Sequence, residues 1–184
     1  MEPIIAVTGN TAAISLYTVS WDGDSEETPP LTPLRRFRAN NVIRPRTVSS
    51  APSPAELMRG SGASARKGWG TCVRFTPDGS MVAVGVDSGQ VIIHDVETGS
   101  VVASFSNHSA PIRSVEFSLS QTIKGQLDHL FIASEDRSCS VHDATHLDVN
   151  GPELSDQTVS LLQGHNKMVL AAQAREDGRI VATM

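Results

Sequence analysis

The stretch that decides the fold runs from Thr71 to Phe105: TCVRF (71–75), TPDGS (76–80), MVAVGV (81–86), DSGQ (87–90), VIIHD (91–95), VETGS (96–100), VVASF (101–105). Four short runs rich in Val and Ile alternate with groups containing Pro, Asp and Gly. Thr71-Cys-Val-Arg-Phe75 has the period-2 alternation of a half-buried strand. Thr76-Pro-Asp-Gly79 then reads as a tight turn, because Pro presets φ, Asp bonds to nearby backbone and Gly accepts positive φ. Met81–Gly85, Gln90–His94 and Val101–Phe105 supply three further strands, parted by the turns Asp87-Ser-Gly89 and Glu97-Thr-Gly99. Connections this short predict an antiparallel meander of four strands.

The pattern recurs downstream. Ile112–Phe117 repeats Thr71–Phe75, with Phe117 lying 42 residues after Phe75. Leu130–Ser134 repeats Met81–Gly85, Asp136-Arg-Ser138 repeats the turn at Asp87, and Cys139–Asp143 repeats Val91–Asp95. Val159–Leu162 repeats the fourth strand, and Gly164-His165 follows it as Asn107-His108 follows the earlier one. A further unit opens at Met168–Ala174, turns at Glu176-Asp-Gly178 and begins another strand at Arg179–Met184. Upstream, Ile4–Gly9, Ala13–Val19 and Leu34–Phe37 read as the second, third and fourth strands of an earlier unit.

A period of about 40 residues with four strands per unit predicts a β-propeller. The expected fold is all-β: a partial propeller of four-stranded antiparallel blades, about three to three and a half of them. The expected organisation is a partial blade over 1–37, a basic insert over 38–67, full blades over 68–108 and 109–165, and an incomplete blade over 166–184. Propeller sheets leave only short, protected edges when the ring closes. A part-ring is therefore expected to be a fragment of a larger ring, or to be completed by another chain.

Composition agrees with a globular protein: hydrophobic residues make up 39% and charged residues 19%. The formal net charge of −5 hides an asymmetry. Between Arg35 and Lys67 stand eight basic residues against one acidic residue, Glu56. Such a basic insert is expected to be a solvated loop; its lack of an aromatic series argues against base stacking, so direct nucleic-acid binding is not expected. Cys72 and Cys139 form no CxxC pair, which points to a reducing compartment, cytoplasmic and/or nuclear. The N-terminus lacks the basic and apolar regions of a signal peptide, and no stretch approaches the ~20 apolar residues of a membrane helix, so no membrane association is expected.

The units resemble the WD-repeat family. That family ends its third strand with Trp-Asp and carries Gly-His before its first strand; here His94-Asp95 and His142-Asp143 stand at the first place, Asn107-His108 and Gly164-His165 at the second. The resemblance covers most of the chain outside 38–67 and implies a seven-bladed ring, of which this chain is expected to be a fragment. It implies a hydrogen-bonded tetrad of a His, a first-strand Ser or Thr, an Asp in the turn between second and third strands, and the Trp. His108, Ser114 and Asp136 fit three of those positions in the second full blade, with His142 where Trp belongs. In the first full blade only Asp87 fits, Cys72 replacing the hydroxyl; in the last unit His165 fits.

Within that family, Phe75–Gly85, Asp95–Gly99 and above all Ala110-Pro-Ile-Arg-Ser-Val115 are similar to the superkiller-complex WD-repeat subunit. That resemblance implies a scaffold in cytoplasmic mRNA decay, with a helicase and a tetratricopeptide-repeat subunit as partners. In animals it also implies a place in the RNA polymerase II-associated factor complex. A generic WD-repeat adaptor, in ubiquitin ligation or ribosome biogenesis, is the alternative.

No catalytic constellation stands out, and neither a cofactor nor a metal site is expected. The six histidines have no recognised ligand spacing, so strand and structural roles are the simpler reading. Gly60-Ser-Gly-Ala-Ser-Ala65 matches a loose G-x-G-x-x-A but sits among Pro52, Pro54 and small residues, without the strand and helix a dinucleotide site requires. Partner contacts are expected from loop residues such as Arg113, Arg137 and Lys167. Ser49, three residues after Arg46, is a candidate phosphosite in the insert.

Overall fold

The computed structural model describes residues 4–8, 13–19, 31–38, 69–120, 122–147, 158–175 and 181–184. Thirteen strands fill the described residues. They are β1 (Ile4–Thr8), β2 (Ala13–Val19), β3 (Leu31–Arg38), β4 (Gly70–Phe75), β5 (Met81–Val86), β6 (Val91–Asp95), β7 (Val101–Phe105), β8 (Ile112–Leu119), β9 (Leu127–Ser134), β10 (Cys139–Asp143), β11 (Thr158–Leu162), β12 (Ala172–Ala174) and β13 (Val181–Thr183). They form a three-stranded sheet β1-β2-β3, two four-stranded sheets β4-β5-β6-β7 and β8-β9-β10-β11, and a two-stranded sheet β12-β13. Every pairing is antiparallel between chain neighbours. The fold is all-β, in four-stranded blades of propeller type. Among the described residues no helix is long and apolar enough to cross a membrane.

The sheets stack face to face, which explains the composition of the central strands. β5 and β6 are buried along their whole length. Val82 and Val84 pack on Ile14 and Leu16 of the preceding sheet, while Met81 and Ala83 share a cluster with Ile112, Leu130 and Ile132 of the following one. Phe131 and Ala133 point the other way, onto Val169 and Ala172. A strand buried on both faces needs apolar residues at every position, so the period-2 signal fades there. Gly85 sits where neighbours crowd the strand: a Cβ on it would lie 2.5 Å from Cys72 Sγ of its own sheet and 2.6 Å from Ile112 Cγ2 of the following one.

Polar bonds join the stack along its first strands. Thr71 Oγ1 donates to the carbonyl of Ile112. Ser114 Oγ donates to the carbonyl of Ala172 at 3.4 Å. Arg74 and Glu116, at equivalent places on β4 and β8, form an ion pair at 2.8 Å.

Two details differ from the sequence reading. The stretch 168–174 contributes a strand only over Ala172–Ala174. Leu34–Phe37 is part of a longer strand, Leu31–Arg38. Of the insert over 38–67, Arg38 belongs to β3, while residues 39–67, the loose glycine motif, Ser49 and the turn at Glu176–Gly178 lie outside the described residues.

Candidate functional site: a buried relay beneath a loop cleft

In an antiparallel meander, alternate turns lie at opposite ends of the sheet. The β9–β10 turn, the β7–β8 loop and the loop after β11 therefore share one end of the stack. At that end Asp136, Ser138, His108, Ser140 and His142 form one hydrogen-bonded chain.

Asp136 is held first by its turn. Its Oδ1 accepts from the backbone N–H of Ser138 at 3.1 Å and from Ser138 Oγ at 2.6 Å. Its Oδ2 accepts from the backbone N–H of Ser109 at 3.1 Å and lies 2.8 Å from His108 Nδ1. The other nitrogen, His108 Nε2, lies 2.8 Å from Ser140 Oγ, which in turn lies 2.8 Å from His142 Nε2. The His142 ring then rests against Phe105, with centroids 4.6 Å apart. Partial burial works against the Asp136 charge, but the bonds from Ser138, His108 and Ser109 outweigh it and hold the carboxyl below its ordinary value.

Three of the expected members, His108, Asp136 and His142, lie in one chain, but through a hydroxyl of a different strand. Ser114 is not its bridging group; its Oγ faces the next sheet and bonds Ala172. Ser140 takes the bridging place, because residues 140 and 142 share one face of β10. A polar pair two residues apart in an otherwise buried strand was the signal available in the sequence.

A second correction concerns Asp87. The ladder pairs Gly85 with Val91 and Ala133 with Cys139, so Asp87 is equivalent to Glu135, and Ser88 to Asp136. The left-handed residues agree, Gly89 at φ 88° matching Arg137 at φ 76°. Asp87 therefore serves a local purpose: Oδ1 accepts from the Trp69 N–H at 2.8 Å, and its own N–H donates to the Trp69 carbonyl at 2.9 Å. With Ile92 standing where Ser140 stands, the first full blade has no relay. His94 there lies 3.4 Å from the Gly99 carbonyl through Nδ1, and burial lowers its pKa.

The Asp136–His108–Ser140 geometry has the connectivity of a nucleophilic triad. Ser140 and His142 are nonetheless 0% exposed, and the serine oxygen lies between two imidazoles. The arrangement fixes the turn and the loop above it.

Above the relay lies an open cleft of about 450 Å³, bordered by Asn107, Ser109, Asp136, Arg137, Leu161 and His165. Arg137 and Lys167 are exposed. His165 Nε2 lies 2.7 Å from Thr183 Oγ1, away from the relay. Arg113 is also exposed but already engaged, its Nε donating to Glu135 at 2.7 Å. No group of three or more His, Cys, Asp or Glu side chains among the described residues is placed to hold a metal ion.

Comparison with known proteins agrees with this architecture. Residues 60–120 match the anaphase-promoting complex subunit 4 WD40 domain model, and residues 99–143 match the WD domain, G-beta repeat model. The chain is 34% identical over 55 residues to the meiotic recombination protein rec14 of Schizosaccharomyces pombe, a match covering 30% of this chain and 18% of that protein. It is similar to a chain in the crystal structure of a mitotic checkpoint complex, with a TM-score of 0.54 and 20% identity over 98% of this chain and 41% of that one. The chain thus spans less than half the length of these relatives. The matches to WD40 models fall within residues 60–143, and the likeness to the solved structure extends over the stacked sheets.

Proposed function

We propose that the chain is a non-catalytic scaffold that holds protein partners at the end of the stack where the relay secures the loops. The observation that carries this reading is the contrast between a fixed base and an exposed rim. Sheets buried on both faces support loops whose backbone is tied to Asp136, while Arg137 and Leu161 stand free for contact. Loops on a rigid support bind with little loss of conformational entropy.

In its finer form the proposal is a subunit of a superkiller-type mRNA decay complex, or of the RNA polymerase II-associated factor complex, acting in the cytoplasm and/or nucleus. The run Ala110–Val115 supports that form. The test is capture by the tagged full chain of the helicase and the tetratricopeptide-repeat subunits from the source organism. Retention of either at stoichiometric level is expected; capture of neither overturns the finer form. The match to rec14 favours a second reading, assembly of a meiotic recombination complex. A deletion strain separates the two: stabilised mRNA decay intermediates follow from the first, reduced meiotic crossing-over from the second.

A further inference from the structure

We infer that the cleft at Arg137 is a docking site for an acidic peptide segment of a protein partner, with an apolar side chain beside the acid. The inference rests on the scaffold reading and names the chemistry of what that scaffold holds.

The first observation is conformational. Among the described residues Arg137 is the one non-glycine with positive φ, at 76°. The equivalent residue of the neighbouring sheet is Gly89, at φ 88°. A side chain in this conformation is strained, and glycine relieves the strain at no steric cost. An arginine kept at such a place contributes through its side chain rather than its backbone.

The second observation is electrostatic. Asp136 also borders the cleft, but its carboxylate already accepts four bonds, from Ser109, His108 and Ser138. The Arg137 guanidinium has no ion pair among the described residues, whereas Arg74 and Arg113 are paired with Glu116 and Glu135. A planar donor fork left open at a cleft matches a carboxylate bidentately.

The third observation separates peptide from nucleic acid. Leu161 forms part of the same cleft and is 46% exposed, which offers an apolar seat next to the charge. The chain as a whole carries a net charge of −5, which opposes a long polyanion more than a short segment with two or three acids.

The test uses the full chain and fluorescence anisotropy with three labelled probes: acetyl-Glu-Leu-Asp-Leu-Glu-amide, its Lys-for-acid counterpart, and a single-stranded oligouridylate. The acidic peptide is expected to bind, and Arg137→Gly to weaken it by about 10-fold while Tm rises or holds. A loss of about 10-fold is the scale of one charge-assisted contact. Arg113→Gln serves as the control, with affinity unchanged. Absence of acidic-peptide binding, equal binding of the basic peptide, tighter binding of the oligonucleotide, or full affinity in Arg137→Gly each overturns the site. Capture of partners without peptide binding removes the cleft and leaves the scaffold. Arg137-dependent peptide binding without capture of the named subunits removes the complex assignment and leaves the cleft.

Discussion

Ser140 decides whether the relay exists, since its single hydroxyl joins two buried imidazoles. Ser140→Ala removes both contacts and takes this partner from two buried histidine nitrogens, His108 Nε2 and His142 Nε2. The expected cost is about 1–3 kcal/mol, the scale of an unsatisfied buried polar group, read from urea denaturation midpoints at constant m. Ser114→Ala removes one long bond at 3.4 Å and is expected to cost less than Ser140→Ala, which distinguishes the two serines directly. Asp136 sets a pH dependence. Its folded pKa lies below the ordinary 3.8, so its stabilising contribution is complete above that value and is lost as pH falls through the folded pKa. Asp78 and Asp143 are depressed as well: at Asp78 the bonds from Thr76 and Ser80 outweigh burial, and at Asp143 the bonds from Thr145 dominate. Stability measured from pH 5 downward is therefore expected to decline for the native chain and to decline less steeply for Asp136→Asn, which starts lower. A parallel slope in both proteins would contradict the relay's charge state.

At the scale of the strand and turn, two glycine positions show how neighbouring sheets shape local sequence. Gly85 lies in β5, where β-branched residues fit the pleated surface better. It is there because Cys72 and Ile112 leave no room for a Cβ. Gly85→Ala is expected to destabilise by about 1–3 kcal/mol through overpacking, measured as a lowered thermal midpoint. The β9–β10 turn presents the opposite case. Arg137→Gly is expected to stabilise by about 1 kcal/mol, because a left-handed residue loses its Cβ clash. The Asp87 misalignment belongs to this scale too. Asp-Ser-Gly at 87–89 and Asp-Arg-Ser at 136–138 look alike as strings, yet the hydrogen-bond ladder shifts them by one residue. Turn chemistry alone does not fix register; the burial of Val91 and Cys139 against the segments that follow their sheets does.

For the molecule as a whole, the stacked faces are the source of stability, and Cys139 reports on them. It lies at 0% exposure in the cluster between β8–β11 and β12–β13, and burial pushes its thiol up to about 11. Iodoacetamide at pH 8 is expected to leave Cys139 unmodified in the native chain and to label it at the rate at which these two sheets part. Rapid labelling without unfolding would show that this interface is open in solution. On the first sheet Ile5 and Val7 are exposed, whereas Val82 and Val84 at the equivalent places on β5 are buried by that same sheet. The difference follows from position in the stack, since the residues are chemically alike.

The sequence by itself determined the strands, their antiparallel order and the repeat, because β-branched runs and Pro-Asp-Gly turns act over a few residues. It also marked His108, Asp136 and His142 as linked by their place in the repeat. Tertiary structure decided which hydroxyl joins them, since Ser114 and Ser140 differ only in the face and neighbour each meets. It likewise decided the partner of Asp87 and the exposure of Arg137 beside Leu161. Those outcomes depend on register between strands and on contact between segments distant in sequence, and neither is encoded in any short stretch of residues.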